Sequence, residues 1–183
     1  LQEAQVFDDK KPDMACVPYR RKTLYFVLTI PFLAVLILTA VYLWTFSPWL
    51  TAGLALCYFG LYFLQAYCCA CQECPYVGRF CPAVAGIMPA SWLAKLIYGR
   101  REVVKSKARF EAFALIGFLG LLGMAILPLW WIARLSVPLA VGYFVWQLAY
   151  YLVFELAICP VCAIRGTCPG GKLQSIVFGN RGR

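Results

Sequence analysis

Histidine is absent from all 183 residues. Without it the chain has no usual axial ligand for a b-type haem, so a cytochrome b-like route across a membrane is excluded. Any metal site built here from cysteine must also be an all-sulfur site. Charge is nearly as scarce, at 14% of residues against 63% hydrophobic. No charged side chain occurs from Leu24 to Gln72, from Ala112 to Ala133, or from Leu135 to Phe154. The sequence also lacks a recognisable nucleophile, acid–base pair or nucleotide-binding loop. An enzyme acting alone is therefore not expected.

Each uncharged run is long enough to matter. A helix rises ~1.5 Å per residue, so about 20 apolar residues cross a hydrocarbon core of ~30 Å. The first run is more than twice that length, and Ser47-Pro48 near its middle is a natural turn. The sequence predicts an all-α, polytopic membrane protein with four transmembrane helices, near 24–45, 49–70, 111–133 and 136–158. They form two hairpins, 23–70 and 111–158. A polar arm over 1–22 precedes them, 71–110 joins them, and 159–183 forms a tail. A secretory signal peptide fits the first run poorly, because the run is too long and has no small-residue cleavage site before the next span.

The formal net charge of +9 would suit nucleic acid, but its placement points elsewhere. Five Lys or Arg precede the first span, seven lie between the second and third, and four follow the fourth. Only Arg134 falls on the other side. This bias places both termini and both cysteine motifs in the cytoplasm, in a cytoplasmic (inner) membrane. Attraction to anionic headgroups accounts for the basic surplus, and no nucleic-acid partner is expected.

Eight of the ten cysteines fall in two windows that resemble copies of each other. The first reads Cys71-Gln-Glu-Cys74, then Cys81-Pro82 after six residues. The second reads Cys159-Pro-Val-Cys162, then Cys168-Pro169 after five. Cys68 and Cys69 lie just upstream of the first. In an oxidising compartment such a set would read as a disulfide framework. On the reducing side it reads as metal binding, and the four-helix thiol oxidoreductases, whose cysteines work on the oxidising face, fit less well. Thiolates hold iron–sulfur clusters, typically four per cluster. Zinc is the alternative, since C-x2-C is also its knuckle spacing. Palmitoylation of juxtamembrane thiols, with Cys68 and Cys69 the best candidates, and thiol redox chemistry are further readings. The matched six, Cys71, Cys74, Cys81, Cys159, Cys162 and Cys168, are the first-choice ligands, with Cys68 and Cys69 completing the set.

Several other residues attract notice. Pro31 lies inside the first span, and Trp44 and Trp49 bracket its outer turn as interfacial aromatics do. Cys57, within the second span, reads as a small packing residue. Ser91 and Gly99 suit the start and end of a short helix lying on the cytoplasmic leaflet. In that helix Trp92, Leu93, Leu96 and Ile97 share a face; a docking surface for a soluble partner is the sharper alternative. Gly117, Gly120 and Gly123 make a stripe suited to close helix contact. Gln147, Tyr150, Tyr151 and Glu155 precede the second cysteine window. Apart from Glu111 at the very start of the third, Glu155 is the sole acid in a predicted span, so it is a candidate proton acceptor for a quinol, with Tyr150 or Tyr151 nearby. Pairing with Arg165 or solvent at the helix end is the plainer role. Arg79 and Arg165, shortly before the Cys-Pro cysteines, suit reduced, negatively charged clusters or lipid phosphates equally.

Four spans with Cys-Pro motifs after the second and fourth resemble the membrane-bound polyferredoxin and quinol-dehydrogenase proteins of nitrate and nitrous oxide respiration (NapH and NosR type). Of that family's C-x3-C-P motif, Cys81-Pro82 and Cys168-Pro169 match the second half, while Val77 and Ile164 stand where its first cysteine would be. The resemblance implies [4Fe–4S] clusters and electron relay from quinol. The expected function is thus a membrane-anchored iron–sulfur electron-transfer subunit carrying one or two clusters, expected to be [4Fe–4S]. It would work between a quinone pool and other membrane or peripheral redox subunits. A non-redox scaffold or assembly protein, with structural zinc or lipidated thiols, is the alternative.

Overall fold

The computed structural model describes residues 21–71, 80, 84, 90–99, 107–162 and 176, with Cys71 and Lys107 described for their backbone alone. Those residues are helical throughout their long segments, and no strand occurs among them. Helix α1 covers Lys22–Trp44 and α2 Pro48–Cys71. The short α3 covers Ala90–Tyr98. The second hairpin comprises α4 (Lys107–Ile126), α5 (Leu129–Leu135) and α6 (Val137–Val153). A π-helical turn over Phe154–Ile158 and a 3-10 turn over Cys159–Val161 extend α6.

Four stretches are long and apolar enough to cross a membrane: Lys22–Trp44, Pro48–Ala70, Ala108–Leu135 and Val137–Val161. They pack as a ring in which α1 touches α2, α2 touches α4, α4 touches α6, and α6 returns to α1. Branched and aromatic side chains cover the outside, among them Val27, Ile37, Leu56, Phe59, Leu119, Val145 and Leu152. An apolar exterior of this kind suits lipid rather than water. The indole-bearing residues Trp44, Trp49 and Trp130 are all exposed at the end remote from the cysteines. There Arg134 lies 5.3 Å from the Trp130 ring.

The third span departs from the single helix expected over 111–133. Its helix stops at Ile126 and restarts at Leu129, with Pro128 as the cap. Proline has no N–H, so the Met124 carbonyl four residues back loses its helical donor. The Tyr143 hydroxyl of α6 replaces that donor at 2.8 Å. Other hydroxyls also tie helices together through backbone carbonyls. Thr51 donates to Ala40 at 3.0 Å, joining α1 to α2. Tyr42 donates to Trp131 at 3.1 Å, joining α1 to α5.

The glycine stripe of α4 is used within the chain. A Cβ on Gly117 would lie 3.5 Å from Leu61, and one on Gly123 would lie 3.1 Å from the Cys57 sulfur. Cys57 therefore fills the place where α2 and α4 approach, in keeping with a packing role. Helix α3 also differs from expectation. Ser91 is not its cap but is buried inside it, and Ala90, Ser91 and Ala94 form the buried side. Because α3 packs on α2, small residues make that approach and Trp92 and Leu96 are left exposed. Gly99 does follow the helix, where a Cβ would collide with the Lys95 carbonyl.

Candidate cysteine site at one end of the bundle

Helix α2 ends at Cys71, and α6 with its two extending turns ends at Cys162. Two antiparallel hairpins bring these ends to the same side of the bundle. The start of α1, on that side too, holds both. Tyr25, 3% exposed, sets its ring edge-on to Phe80 at 5.3 Å and to Phe154 at 6.3 Å. Phe80 immediately precedes Cys81 in the chain, and Phe154 begins the turn that leads to Cys159. Lys22 adds its ammonium 5.6 Å from the Phe80 ring, within cation–π range. On α2, Gln65 donates to the Val84 carbonyl at 3.2 Å, fixing a point just beyond Cys81-Pro82.

The end of α6 is built to present its thiols. The π turn widens the helix at Glu155, and π turns recur at functional positions. The 3-10 turn then directs backbone N–H groups to carbonyls three residues back, with Cys162 donating to Cys159 at 3.1 Å. This closes Cys159-Pro-Val-Cys162 into one turn, as a metal knuckle requires. It also deprives the Ala157 carbonyl of a helical donor, and Arg21 supplies a charged one at 2.6 Å. The Glu155 carboxyl hydrogen-bonds the Cys159 side chain one turn on. Its other oxygen, Oε2, is buried without a hydrogen-bond partner.

Cys69, 7% exposed, belongs to the same continuous apolar core as Tyr25, Phe154 and Ile158. Cys159 and Cys162 pack against that core from the other helix. Among the described residues no three cysteine or acidic side chains form a metal-binding group. Cys74, Cys81, Cys168, Arg79 and Arg165, and the Cys71 side chain, lie outside the described residues. Cys68 and Cys69 are consecutive in a regular helix, so their side chains diverge by about 100° and cannot easily serve one ion together. Two thiols on one closed turn have the donor chemistry of a sulfur-held metal centre, zinc or iron–sulfur alike.

Of the three residues proposed for a quinone, Tyr151 and Glu155 are four apart on one side of the helix, and Tyr150 faces another way. Tyr150 is buried and stacks on Phe32 of α1 at 4.0 Å. Tyr151 turns to α4, where its hydroxyl lies 3.4 Å from the Leu121 carbonyl. Glu155 sits one turn nearer the cysteines. Sequence reasoning missed Arg21, Lys22 and Tyr25 as the residues that hold both cysteine-bearing ends. Their one visible signal was position, at the membrane edge beside the first span. No family model matches the chain, and neither curated proteins nor solved structures include a significant match.

Proposed function

We propose that the protein is a membrane-anchored electron-transfer subunit whose clustered thiols hold an iron–sulfur centre on the cytoplasmic face. The observation that carries this reading is the convergence of both cysteine-bearing segments on Tyr25, through Phe80 and Phe154. A site shared between the two halves would account for the motif's occurring twice. The lack of histidine in the chain favours sulfur coordination, and sixteen of seventeen basic residues flank the cysteine side of the spans.

Cys159 and Cys162 would contribute from their turn, with two of Cys71, Cys74, Cys81 and Cys168 completing a set of four. Such a centre supplies one-electron transfer when bound. The residues around it do the rest. The apolar shell of Tyr25, Phe80 and Phe154 limits water at the thiols. Glu155, with one buried oxygen lacking a partner, is placed to take a proton from a quinol that gives up its electrons at this face. A redox partner, membrane or peripheral, completes the circuit.

Substitution separates a shared centre from independent ones. In anaerobically purified protein, Cys81→Ser and Cys168→Ser are each expected to abolish the whole visible absorption. Loss of half the signal in each would indicate two independent sites, and no loss in either would overturn the reading. Glu155→Gln should leave iron content intact while slowing reduction by a quinol about tenfold or more, the scale of a lost general base.

A further inference from the structure

Helix α3 turns outward a different face from the one its sequence suggests, and nothing in the cysteine chemistry requires that face. Ala90, Ser91 and Ala94 are buried where α3 packs on α2. Leu93 and Ile97 are partly buried, which leaves Trp92, Lys95 and Leu96 exposed together. Trp92 is 51% exposed and Leu96 82%. Ring contacts fix the level at which this face lies. Tyr98, at the end of α3, meets Tyr67 of α2 at 6.0 Å, and Tyr67 meets Phe113 of α4 at 4.3 Å. Tyr67 stands three residues before Ala70, where the second membrane-crossing stretch ends, or ~4.5 Å inside that end at ~1.5 Å per residue. The end of α3 is therefore held at the rim of the hydrocarbon layer. The apolar exterior of the bundle runs up to it, with Phe63 of α2 exposed one turn deeper than Tyr67.

A second cation belongs to this corner. Arg109 is exposed in the first turn of α4, four residues before Phe113, and Lys95 stands three before Tyr98. Residues at these spacings are neighbours on a helix surface, so Tyr67 joins the two helix faces that carry Lys95 and Arg109. Residues 90–110 hold six Lys or Arg against one acid, Glu102. Glu111, two residues from Arg109, does not share its side of α4. This chemistry favours one occupant. Indoles collect at the boundary between acyl chains and headgroups, and a leucine so exposed gains by leaving water. Lysine can lay its stem on apolar surface and keep its ammonium among headgroups. Surplus positive charge at that level attracts anionic lipid. We propose that the outer face of α3, with Arg109, binds anionic phospholipid. Trp92 and Leu96 lie against the upper acyl chains, while Lys95 and Arg109 hold headgroup phosphates. No cysteine takes part, so the proposal stands whether or not the thiols hold iron.

The full chain is placed in nanodiscs of phosphatidylcholine, alone or mixed with phosphatidylglycerol. The emission of Trp92, taken as wild type minus Trp92→Phe, should be quenched by lipids brominated high on the acyl chain and little by aqueous acrylamide. Native mass spectrometry of protein released from the mixed discs should show phosphatidylglycerol retained in preference to phosphatidylcholine. Lys95→Gln and Arg109→Gln should each lower that preference about fivefold, the scale of one basic residue at a charged surface. Both side chains are exposed, so helix content should not change. Quenching of Trp92 by acrylamide and not by brominated lipid would show a face open to water and to a soluble partner, and would overturn the proposal. A phosphatidylglycerol preference equal in wild type and in the double variant would overturn it too.

Discussion

The two cysteine-bearing helix ends look like copies in sequence and are delivered differently in space. Helix α2 runs as regular α-helix to Cys71, carrying Cys68 and Cys69 on diverging sides of one turn. Helix α6 instead loosens through a π turn and tightens through a 3-10 turn before Cys162. The first end therefore offers thiols in helical array, whereas the second offers a closed knuckle hydrogen-bonded to Glu155. Matching spacing is not matching geometry. Cys159 and Cys162 share one closed turn, and Phe80, which precedes Cys81, is held with Phe154 against Tyr25.

That contrast is broken most sharply by serine substitution at each end. Cys162→Ser should remove essentially all bound metal, measured as iron per chain after anaerobic purification. Cys68→Ser should retain most of it, since Cys68 is only partly buried and diverges from its neighbour. Equal losses would show that the two ends are equivalent after all.

The link between the ends is tested at Tyr25. Removing its buried ring in Tyr25→Ala leaves Phe80 and Phe154 without their common neighbour, and a deleted core aromatic costs about 3 kcal/mol. The expected result is earlier unfolding in detergent and faster alkylation of thiols at both ends. Tyr25→Phe should keep the ring contacts and most of the stability. Alkylation that rises at one end alone would mean that Tyr25 serves only that end.

The smallest effect concerns the shared packing of the hairpins, away from either end. Gly123→Ala places a methyl 3.1 Å from the Cys57 sulfur, and overpacking of that size costs about 1 kcal/mol. Cys57→Ala in the same chain should recover much of the loss in denaturant unfolding, because contacting sites couple. An additive double variant would remove Cys57 from the α2–α4 contact.

Much of the architecture was legible because lipid imposes a simple rule: uncharged runs of sufficient length become spans. Ser47-Pro48 marked the first turn, and α2 starts at Pro48. The break at Leu127-Pro128 was harder to see, since a window of apolar residues reads the same whether or not the helix restarts within it. Ser91 had the chemistry of a cap but lies within α3, where small size lets the helix approach α2. The π turn had no sequence signal, because it arises from how α6 packs and where Pro160 interrupts the ladder. Gln147 was visible as a polar residue before the second window. Its complete burial depends on the packing of the helices around it. Contacts between distant segments, such as Tyr25 with Phe80, depend on tertiary packing that no local pattern encodes.

The central claim is that the clustered thiols hold an iron–sulfur centre. Iron, sulfide and zinc analysis of the anaerobic wild-type protein, with electron paramagnetic resonance after dithionite reduction, tests it most directly. The account predicts a brown protein with about four iron and four sulfide per cluster and a cluster signal on reduction. A colourless protein containing stoichiometric zinc and no such signal would contradict it.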